Sequence, residues 1–182
     1  EPTDVEQTLQ DVRSLECWLL VADMEDSTQF IQKARPEEAP RLTGRWLSAC
    51  KEILEVHHGT LNKFLGDGFF AYWPHQAGVA ATVIAALNAL RRLQQRVAPR
   101  FRLVLHFGTV YTGGGASLGE ESLLGNEVNF VFRMEKVAAT LGSACLVSQA
   151  ARDLIAGGAA WAEPCRRTVP GFDGEFVFYQ PE

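Results

Sequence analysis

Residues 62–73, NKFLGDGFFAYW, carry a β-hairpin signal. Aromatic and apolar residues on both sides favour strands, and Gly66-Asp67-Gly68 between them is typical of a tight hairpin turn. A continuous apolar run at 17–22, CWLLVA, predicts a central strand buried on both faces of a sheet, and Asp23 ends this run. An aspartate between two glycines has no evident packing role. Asp67 therefore needs a chemical explanation as well as a structural one.

The remaining segments carry helix and strand signals. Ser27 and Thr28 suit a helix start. Helices are predicted at 4–15, after residue 27, and at 36–58, 76–97, 126–141 and 148–156. Further strands are predicted at 101–107, 145–147, 160–169 and 174–180. The order β-α-α-β-β-α-β predicts an α+β fold: a ferredoxin-like βαββαβ core with extra C-terminal strands and helices, and with helices packed on one face of an open sheet.

Length and composition indicate one globular domain. The 182 residues suffice for a sizeable core, and we expect a lead-in segment at 1–14 before a single domain at 15–182. Hydrophobic residues make up 47% of the chain and charged residues 21%, which is ordinary for a soluble globular protein. The net charge of −5 argues against a nucleic-acid partner, because such binding needs a basic face.

The sequence also bears on where the protein works. No apolar run reaches membrane-spanning length and no signal peptide is visible, so we expect no direct membrane insertion. Because the chain begins at Glu1 without a methionine, we expect it to be part of a longer protein that carries the regulatory domains. The widely spaced cysteines predict reduced core thiols in a cytoplasmic protein, rather than zinc ligands or disulfides. They are Cys17, Cys50, Cys145 and Cys165.

Asp23 and Asp67 are candidate metal ligands. Their strands are neighbours in the predicted core, so both carboxylates can point at one spot, where they repel each other unless a cation lies between them. Hard oxygen ligands suit magnesium or manganese, and the backbone N–H groups of residues 25–28 at the next helix start are suited to phosphate. This is the layout of a two-metal phosphoryl-transfer site. The alternative is structural: Asp67 is a good hairpin residue and Asp23 neighbours a helix cap.

Four motifs in order resemble those of the class III nucleotidyl cyclases. Residues 20–28, LVADMEDST, resemble the first catalytic motif of that family, and residues 59–71, GTLNKFLGDGFFA, resemble the second. Residues 105–110, LHFGTV, resemble its central strand motif, and residues 123–138, LLGNEVNFVFRMEKVA, resemble its third catalytic motif. The resemblance covers about residues 15–180. It implies a dimeric enzyme that makes a cyclic nucleotide from a nucleoside triphosphate and releases pyrophosphate.

The resemblance also implies how the cofactors are held. Asp23 and Asp67, helped by the Met24 carbonyl, would hold two Mg2+ or Mn2+ ions per active site. The metals would activate the ribose 3′-hydroxyl and neutralise the triphosphate. Ser27 and Thr28, in the turn that follows, would bind the substrate phosphates.

Further site residues would come from the other subunit of a homodimer. Lys63 would hydrogen-bond a ring nitrogen of adenine, and Ser122 stands at the second base-selecting position. Asn129 would orient the ribose, and Arg133 would stabilise charge on the phosphates in the transition state. The spacing from 129 to 133 places these two side chains one helical turn apart on one face, so both can reach one ligand.

Base choice rests on two of these positions. By resemblance, Lys63 is the adenylate signature and predicts ATP as the substrate. Ser122 keeps the hydroxyl of the threonine found in the bicarbonate-responsive branch, to which we assign the chain as a hypothesis. A hydroxyl both donates and accepts hydrogen bonds, so it discriminates less than a carboxylate and some use of GTP is conceivable.

Two residues depart from the family pattern. Asp26 stands where many members have glycine in the phosphate-binding turn, and Pro170 stands where many have a basic residue near the phosphates. Either change would slow turnover, so the main alternative is a catalytically weak or inactive cyclase-like regulatory domain that binds a nucleotide. A polymerase-like or diguanylate cyclase enzyme is a further alternative, because such enzymes share a ferredoxin-like core with two carboxylates. Residues 173–176, DGEF, superficially resemble the diguanylate cyclase signature. They lie outside the hairpin that should carry it and are predicted to form a turn before the last strand.

Overall fold

The computed structural model describes residues 12–113, 123–157 and 159–182. Its strands are β1 (Arg13–Met24), β2 (Thr60–Phe64), β3 (Gly68–Pro74), β4 (Phe101–Thr112), β5 (Cys145–Ser148), β6 (Cys165–Thr168) and β7 (Glu175–Tyr179). Its helices are α1 (Ser27–Lys33), α2 (Glu38–Val56), α3 (Val79–Gln94), α4 (Asn126–Leu141) and α5 (Gln149–Arg152). From residue 17 onward, each predicted helix and strand has a counterpart in the predicted order.

All seven strands lie in one mixed sheet, in the order β2-β3-β1-β4-β5-β7-β6. β1 pairs antiparallel with both β3 and β4, while β4 and β5 are parallel. The strands β2-β3-β1-β4 and the helices between them form the βαββαβ unit, and β5 to β7 extend the sheet beyond β4. The predicted ferredoxin-like core with C-terminal additions is therefore confirmed.

Helices cover both faces of this sheet, so the expectation of helices on one face is wrong. Alternate residues of β1 point to opposite faces. Trp18 and Leu20 pack with α2 and α3, whereas Leu19 and Val21 pack with α4. Because α4 carries an apolar stripe of its own, it covers the second face and makes β1 a strand buried on both sides, as its continuous apolar run predicts.

The first strand begins earlier than predicted. β1 starts at Arg13, which pairs with Thr112 at the end of β4. Residues 13–15 are therefore strand and not the end of a lead-in helix, while residues 1–11 lie outside the described part of the chain. Pairing with β4 supplies hydrogen-bond partners for this backbone and outweighs a weak local helix signal.

Three of the four cysteines lie in the core, as expected from the apolar residues around them. Cys17, Cys50 and Cys145 are buried, whereas Cys165 is half-buried. Burial raises the pKa of Cys50 and of Cys145 to about 12, so both stay protonated and unreactive. Within the described ranges, no helix combines the length and the apolar character needed to cross a membrane.

Candidate active site

The two predicted metal ligands meet where β1 ends. Asp23 pairs with Gly68 at the start of β3, which brings the hairpin turn beside it. The Met24 N–H donates to the Asp67 carbonyl oxygen at 2.8 Å and fastens the turn to β1. The fold therefore places both carboxylates at one corner of the sheet.

The glycines around Asp67 are needed by the backbone. Gly66 has a φ of +76°, in the left-handed region that favours glycine. At Gly68, a Cβ atom would clash with the Ala22 carbonyl oxygen on β1. The structure therefore assigns the two glycines to the turn and to the close approach of β3 to β1.

The positive charge near Asp23 does not compensate the charge of its carboxylate. Burial raises the pKa of Asp23, and the carboxylates of Glu135 and Asp67 raise it further, to about 7, against the opposing effect of the Lys136 ammonium. A carboxyl group whose ionised form is so disfavoured lacks sufficient positive charge around it. A divalent cation beside Asp23 and Asp67 would supply that charge.

The segment after β1 orients one carboxylate. The Ser27 hydroxyl, at the start of α1, donates to Asp67 Oδ2 at 2.6 Å. The Glu25 N–H donates to the Arg100 carbonyl oxygen at 2.8 Å, so it is unavailable to phosphate and the predicted phosphate-binding segment is shortened. Asp26 is exposed with a φ of +49°, a left-handed conformation that aspartate tolerates better than most residues and glycine better still.

Helix α4 closes the site on the other side. Its residues and those of β1 and the hairpin line a cleft of about 290 Å³. The lining residues are Val21, Asp23, Leu65, Phe132, Arg133, Glu135 and Lys136. Asp23 and Arg133, predicted from separate motifs, thus lie in one cleft of one chain.

The other predicted residues lie around this cleft. Lys63 is exposed, and its Nζ lies 5.6 Å from the centre of the Phe132 ring, which brings it towards α4. Asn129 is exposed one turn before Arg133 and does not line the cleft. Thr28 is exposed on α1. Ser122 lies outside the described residues.

Sequence reasoning missed three charged neighbours of Asp23. Glu135 is only 4% exposed, and its Oε1 lies 3.2 Å from Arg102 Nε while its Oε2 lies 3.2 Å from Lys136 Nζ. Arg102 pairs with Asp23 across β1 and β4. A sequence signal for this network exists: Glu135 falls at the buried-face spacing of α4, between Val131 and Ala138, where a charged residue needs a partner.

The oxygen ligands at this corner fit a magnesium ion that is also bound by substrate and water, rather than a metal ion bound by protein ligands alone. The described residues contain no cluster of three or more histidine, cysteine, aspartate or glutamate side chains able to hold a metal ion. Magnesium is usually bound by one or two carboxylates together with substrate phosphates and water, rather than by a complete protein cage. Asp23 and Asp67, with the adjacent Met24 carbonyl, fit this pattern.

Known proteins resemble this chain in sequence and in structure. No family model matches it. Adenylate cyclase 1 of Rhizobium meliloti (strain 1021) is 26% identical over 146 residues, which cover 72% of this chain and 22% of that protein. In structure, the chain is similar to the adenylyl cyclase CyaB from P. aeruginosa, with a TM-score of 0.80, 19% identity and coverage of 94% and 96% of the two chains. The chain has the α+β nucleotidyl cyclase fold.

The proteins that share this fold differ in the activity that they name, adenylyl cyclase or guanylyl cyclase. The guanylyl cyclase Cya2 is also similar in structure, with a TM-score of 0.78, 18% identity and coverage of 94% of this chain and 92% of that one. The fold is therefore common to adenylyl and guanylyl cyclases, and base choice depends on individual side chains. The chain spans about a fifth of the length of the Rhizobium relative, so that larger protein contains regions with no counterpart here.

Proposed function

We propose that this cyclase domain is an adenylate cyclase, which converts ATP to 3′,5′-cyclic AMP and pyrophosphate at a homodimer interface. It would act as the output domain of a larger cytoplasmic signalling protein. The observation that carries the proposal is the meeting of Asp23 and Asp67 at adjacent strand ends. The sequence similarity to an adenylate cyclase supports the choice of ATP.

The reaction is an internal displacement at the α-phosphorus. The ribose 3′-oxygen forms a bond to that phosphorus, the bond to the oxygen bridging to the β-phosphorus breaks, and pyrophosphate leaves with the bonding electrons. The 3′-hydroxyl proton passes to solvent. Two Mg2+ or Mn2+ ions, when bound, would lower the pKa of the 3′-hydroxyl and neutralise charge on the triphosphate.

The residues of this chain supply orientation and charge. Asp23, Asp67 and the Met24 carbonyl would hold the metals, and the Ser27 hydroxyl keeps the Asp67 carboxylate in place. The partner subunit's Arg133 would donate to phosphate oxygens as their charge grows in the transition state. Thr28, in the first turn of α1, has a backbone N–H without a partner inside the helix, which suits a phosphate oxygen.

Selection of the base and ribose is assigned to the partner subunit. Its copies of Lys63 and Ser122 would read adenine, and its Asn129 would orient the ribose. Lys63 is exposed on β2, so its ammonium can reach across an interface. A lysine is a hydrogen-bond donor only, which matches the ring-nitrogen acceptors of adenine.

The deciding experiment is product formation by the purified domain. ATP and GTP are supplied in parallel, each with magnesium and with manganese, and Asp67→Ala serves as the inactive control. We expect cyclic AMP from ATP, at a higher rate than cyclic GMP from GTP, and no product from the variant. Nucleotide binding without any cyclic product would favour the regulatory alternative, in which the exposed Asp26 carboxylate weakens phosphate binding.

A mixing experiment tests the shared site. Asp23→Ala and Asn129→Ala are each expected to be inactive alone, because each removes one contributor from both sites of the dimer. Their mixture should recover part of the activity, since the heterodimer keeps one intact site. A mixture of Asp23→Ala with Asp67→Ala is the matched control and should recover nothing, because every site then lacks a metal ligand. Equal recovery in both mixtures, or none in either despite heterodimer formation, would refute the model.

A further inference from the structure

Lys136 lies where two clefts beside α4 meet. The first is the cleft of about 290 Å³ that contains Asp23 and Arg133. The second, of about 370 Å³, lies between α4 and the segment around β6. Its lining residues are Lys136, Val137, Thr140, Leu141, Arg167, Thr168, Val169 and Pro170. Within the described residues, Lys136 is shared by the linings of these two clefts.

The Lys136 ammonium contacts Glu135 and keeps donors for further hydrogen bonds. Its Nζ lies 3.2 Å from Glu135 Oε2, and the Lys136 side chain is 71% exposed. Arg102 lies at the other oxygen of Glu135, so that buried carboxylate already has a second cation. An ammonium group has three donors, and one contact to Glu135 leaves donors for a ligand. Glu135 thus positions Lys136 at the mouth of the site without removing it from solvent.

The charge of Lys136 acts on the metal-binding corner. It is the cation whose field opposes the rise in the pKa of Asp23. Lys136 also follows Arg133 by three residues, so both side chains project from one side of α4. A triphosphate bound at Asp23 would therefore lie beside the Lys136 ammonium of the same chain.

The turn after β6 presents an uncharged residue to the second cleft. Pro170 is exposed in a turn in which the Phe172 N–H donates to the Val169 carbonyl oxygen at 3.0 Å and Gly171 has a φ of +83°. This geometry matches proline and glycine at the central positions of a type II turn. Proline carries no charge, and the cations that line this cleft are Lys136 on α4 and Arg167 on β6.

We propose that Lys136 binds terminal phosphate oxygens of the nucleoside triphosphate and is a substrate-binding residue of this site. The inference rests on the proposed function, since it assumes that a triphosphate occupies the Asp23 cleft. It adds a residue to those that the four motifs assign to the site. Lys136 would supply positive charge at the point where the Asp23 cleft meets the second cleft, which Pro170 lines.

The test is equilibrium binding of a non-hydrolysable ATP analogue and of inorganic tripolyphosphate, each with magnesium. Lys136→Met keeps the length of the side chain and removes its charge, and we expect the variant to fold because the position is exposed. Affinity for both ligands should fall about tenfold, as for the loss of one charge-assisted hydrogen bond. Adenosine, which has no phosphate, should bind equally to both proteins.

Lys51→Met is the matched control. Lys51 is a similarly exposed helical lysine on α2, with its Nζ 3.6 Å from Glu55 Oε1, and lines neither cleft. The Lys51→Met variant should bind the ATP analogue and tripolyphosphate with the affinity of the unaltered protein. An equal loss in Lys51→Met would show a general effect of net charge and would overturn the inference.

A second variant tests the position of the charge. Adding Pro170→Lys to Lys136→Met returns a cation to the second cleft, beside the position of Lys136, and we expect most of the lost affinity to return. Failure of Lys136→Met to weaken binding would overturn the inference even if the protein makes cyclic AMP. Weakened binding of tripolyphosphate in a protein that forms no cyclic product would refute the proposed reaction and uphold Lys136. A chain that binds neither ligand would refute both.

Discussion

Two polar clusters lie along α4 and differ in how their charges are compensated. Near the N-terminal end, His106 on β4 is 5% exposed, with its Nδ1 2.8 Å from Ser148 Oγ and its Nε2 2.5 Å from Glu127 Oε2. Two turns further along the helix, Glu135 lies beside Asp23, whose pKa is raised to about 7. The first cluster pairs its groups with one another, whereas the second accumulates carboxylates.

His106 has a partner at each ring nitrogen. The Ala151 N–H donates to Ser148 Oγ at 3.3 Å, and the same oxygen lies 2.8 Å from His106 Nδ1. The other ring nitrogen, Nε2, contacts the Glu127 carboxylate. His106 is therefore a buried histidine whose polar atoms have partners within the fold.

The first cluster is expected to contribute to stability and the second to function. A polar group with partners from its own chain ties elements together, here β4, β5 and α4. A group of like charges that the chain does not neutralise destabilises the empty fold, and such groups concentrate at sites that bind an opposite charge. The following predictions test this contrast, beginning with the largest expected effect.

Replacing the uncompensated carboxylate should separate activity from stability. Asp23→Asn is expected to lower cyclase activity about 1,000-fold, because a neutral amide is a poor ligand for a divalent metal. The free energy of unfolding, measured by urea titration with a chelator present, should not fall, since repulsion from Asp67 and Glu135 is relieved. A variant that is inactive because it is unfolded would contradict the contrast.

Breaking the compensated cluster should have the opposite outcome. His106→Ala removes two hydrogen bonds and leaves Glu127 and Ser148 without their shared partner, so the free energy of unfolding should fall by about 2–3 kcal/mol. Ser148→Ala, which keeps the imidazole, should cost about 1 kcal/mol, partly through the lost cap of α5. The KM for ATP of the folded protein should remain within about twofold. A large rise in KM with unchanged stability would place His106 in the active site.

The pH dependence of stability should sharpen the comparison. The pKa of Asp23 is raised from 3.8 to about 7, so the unfolded chain loses this proton at lower pH than the folded one. The folded chain therefore gains stability from protonated Asp23. This gain is complete below pH 3.8 and is lost progressively as the pH rises to about 7. Without metal, urea titrations should therefore show a decline over this range that is smaller in Asp23→Asn. Saturating magnesium should reduce the decline, because it favours the ionised carboxylate.

The smallest predicted effect concerns the turn beside the carboxylates. Asp26→Gly removes a side chain from a left-handed position and should stabilise the fold by about 0.5–1 kcal/mol. It also removes a negative charge from the predicted phosphate-binding turn, so nucleotide affinity should rise severalfold. Thr28→Gly, in the first turn of α1, is a control that should lower stability instead. Unchanged affinity in Asp26→Gly would show that this carboxylate points away from the phosphates.

Much of the fold follows from local patterns. The apolar run before Asp23 and the glycines around Asp67 predicted a buried strand beside a hairpin, and the structure pairs them. The bounds of α4 were predicted to the residue because its periodicity begins after Gly125 and stops at Gly142, which caps the helix in a left-handed conformation. The expected lead-in helix failed at residues 13–15, where strand pairing with a distant segment decided the conformation.

The sequence by itself determined the residue types that can act at this site and their order: two carboxylates, a lysine, and an asparagine and arginine one helical turn apart. These signals are local, since spacing sets which side chains share a strand end or a helix face. Only the tertiary structure decided that α4 covers the second face of the sheet and brings Glu135 and Lys136 to Asp23. Charge compensation depends on distances between residues that lie far apart in the chain, and periodicity carries no information about those distances.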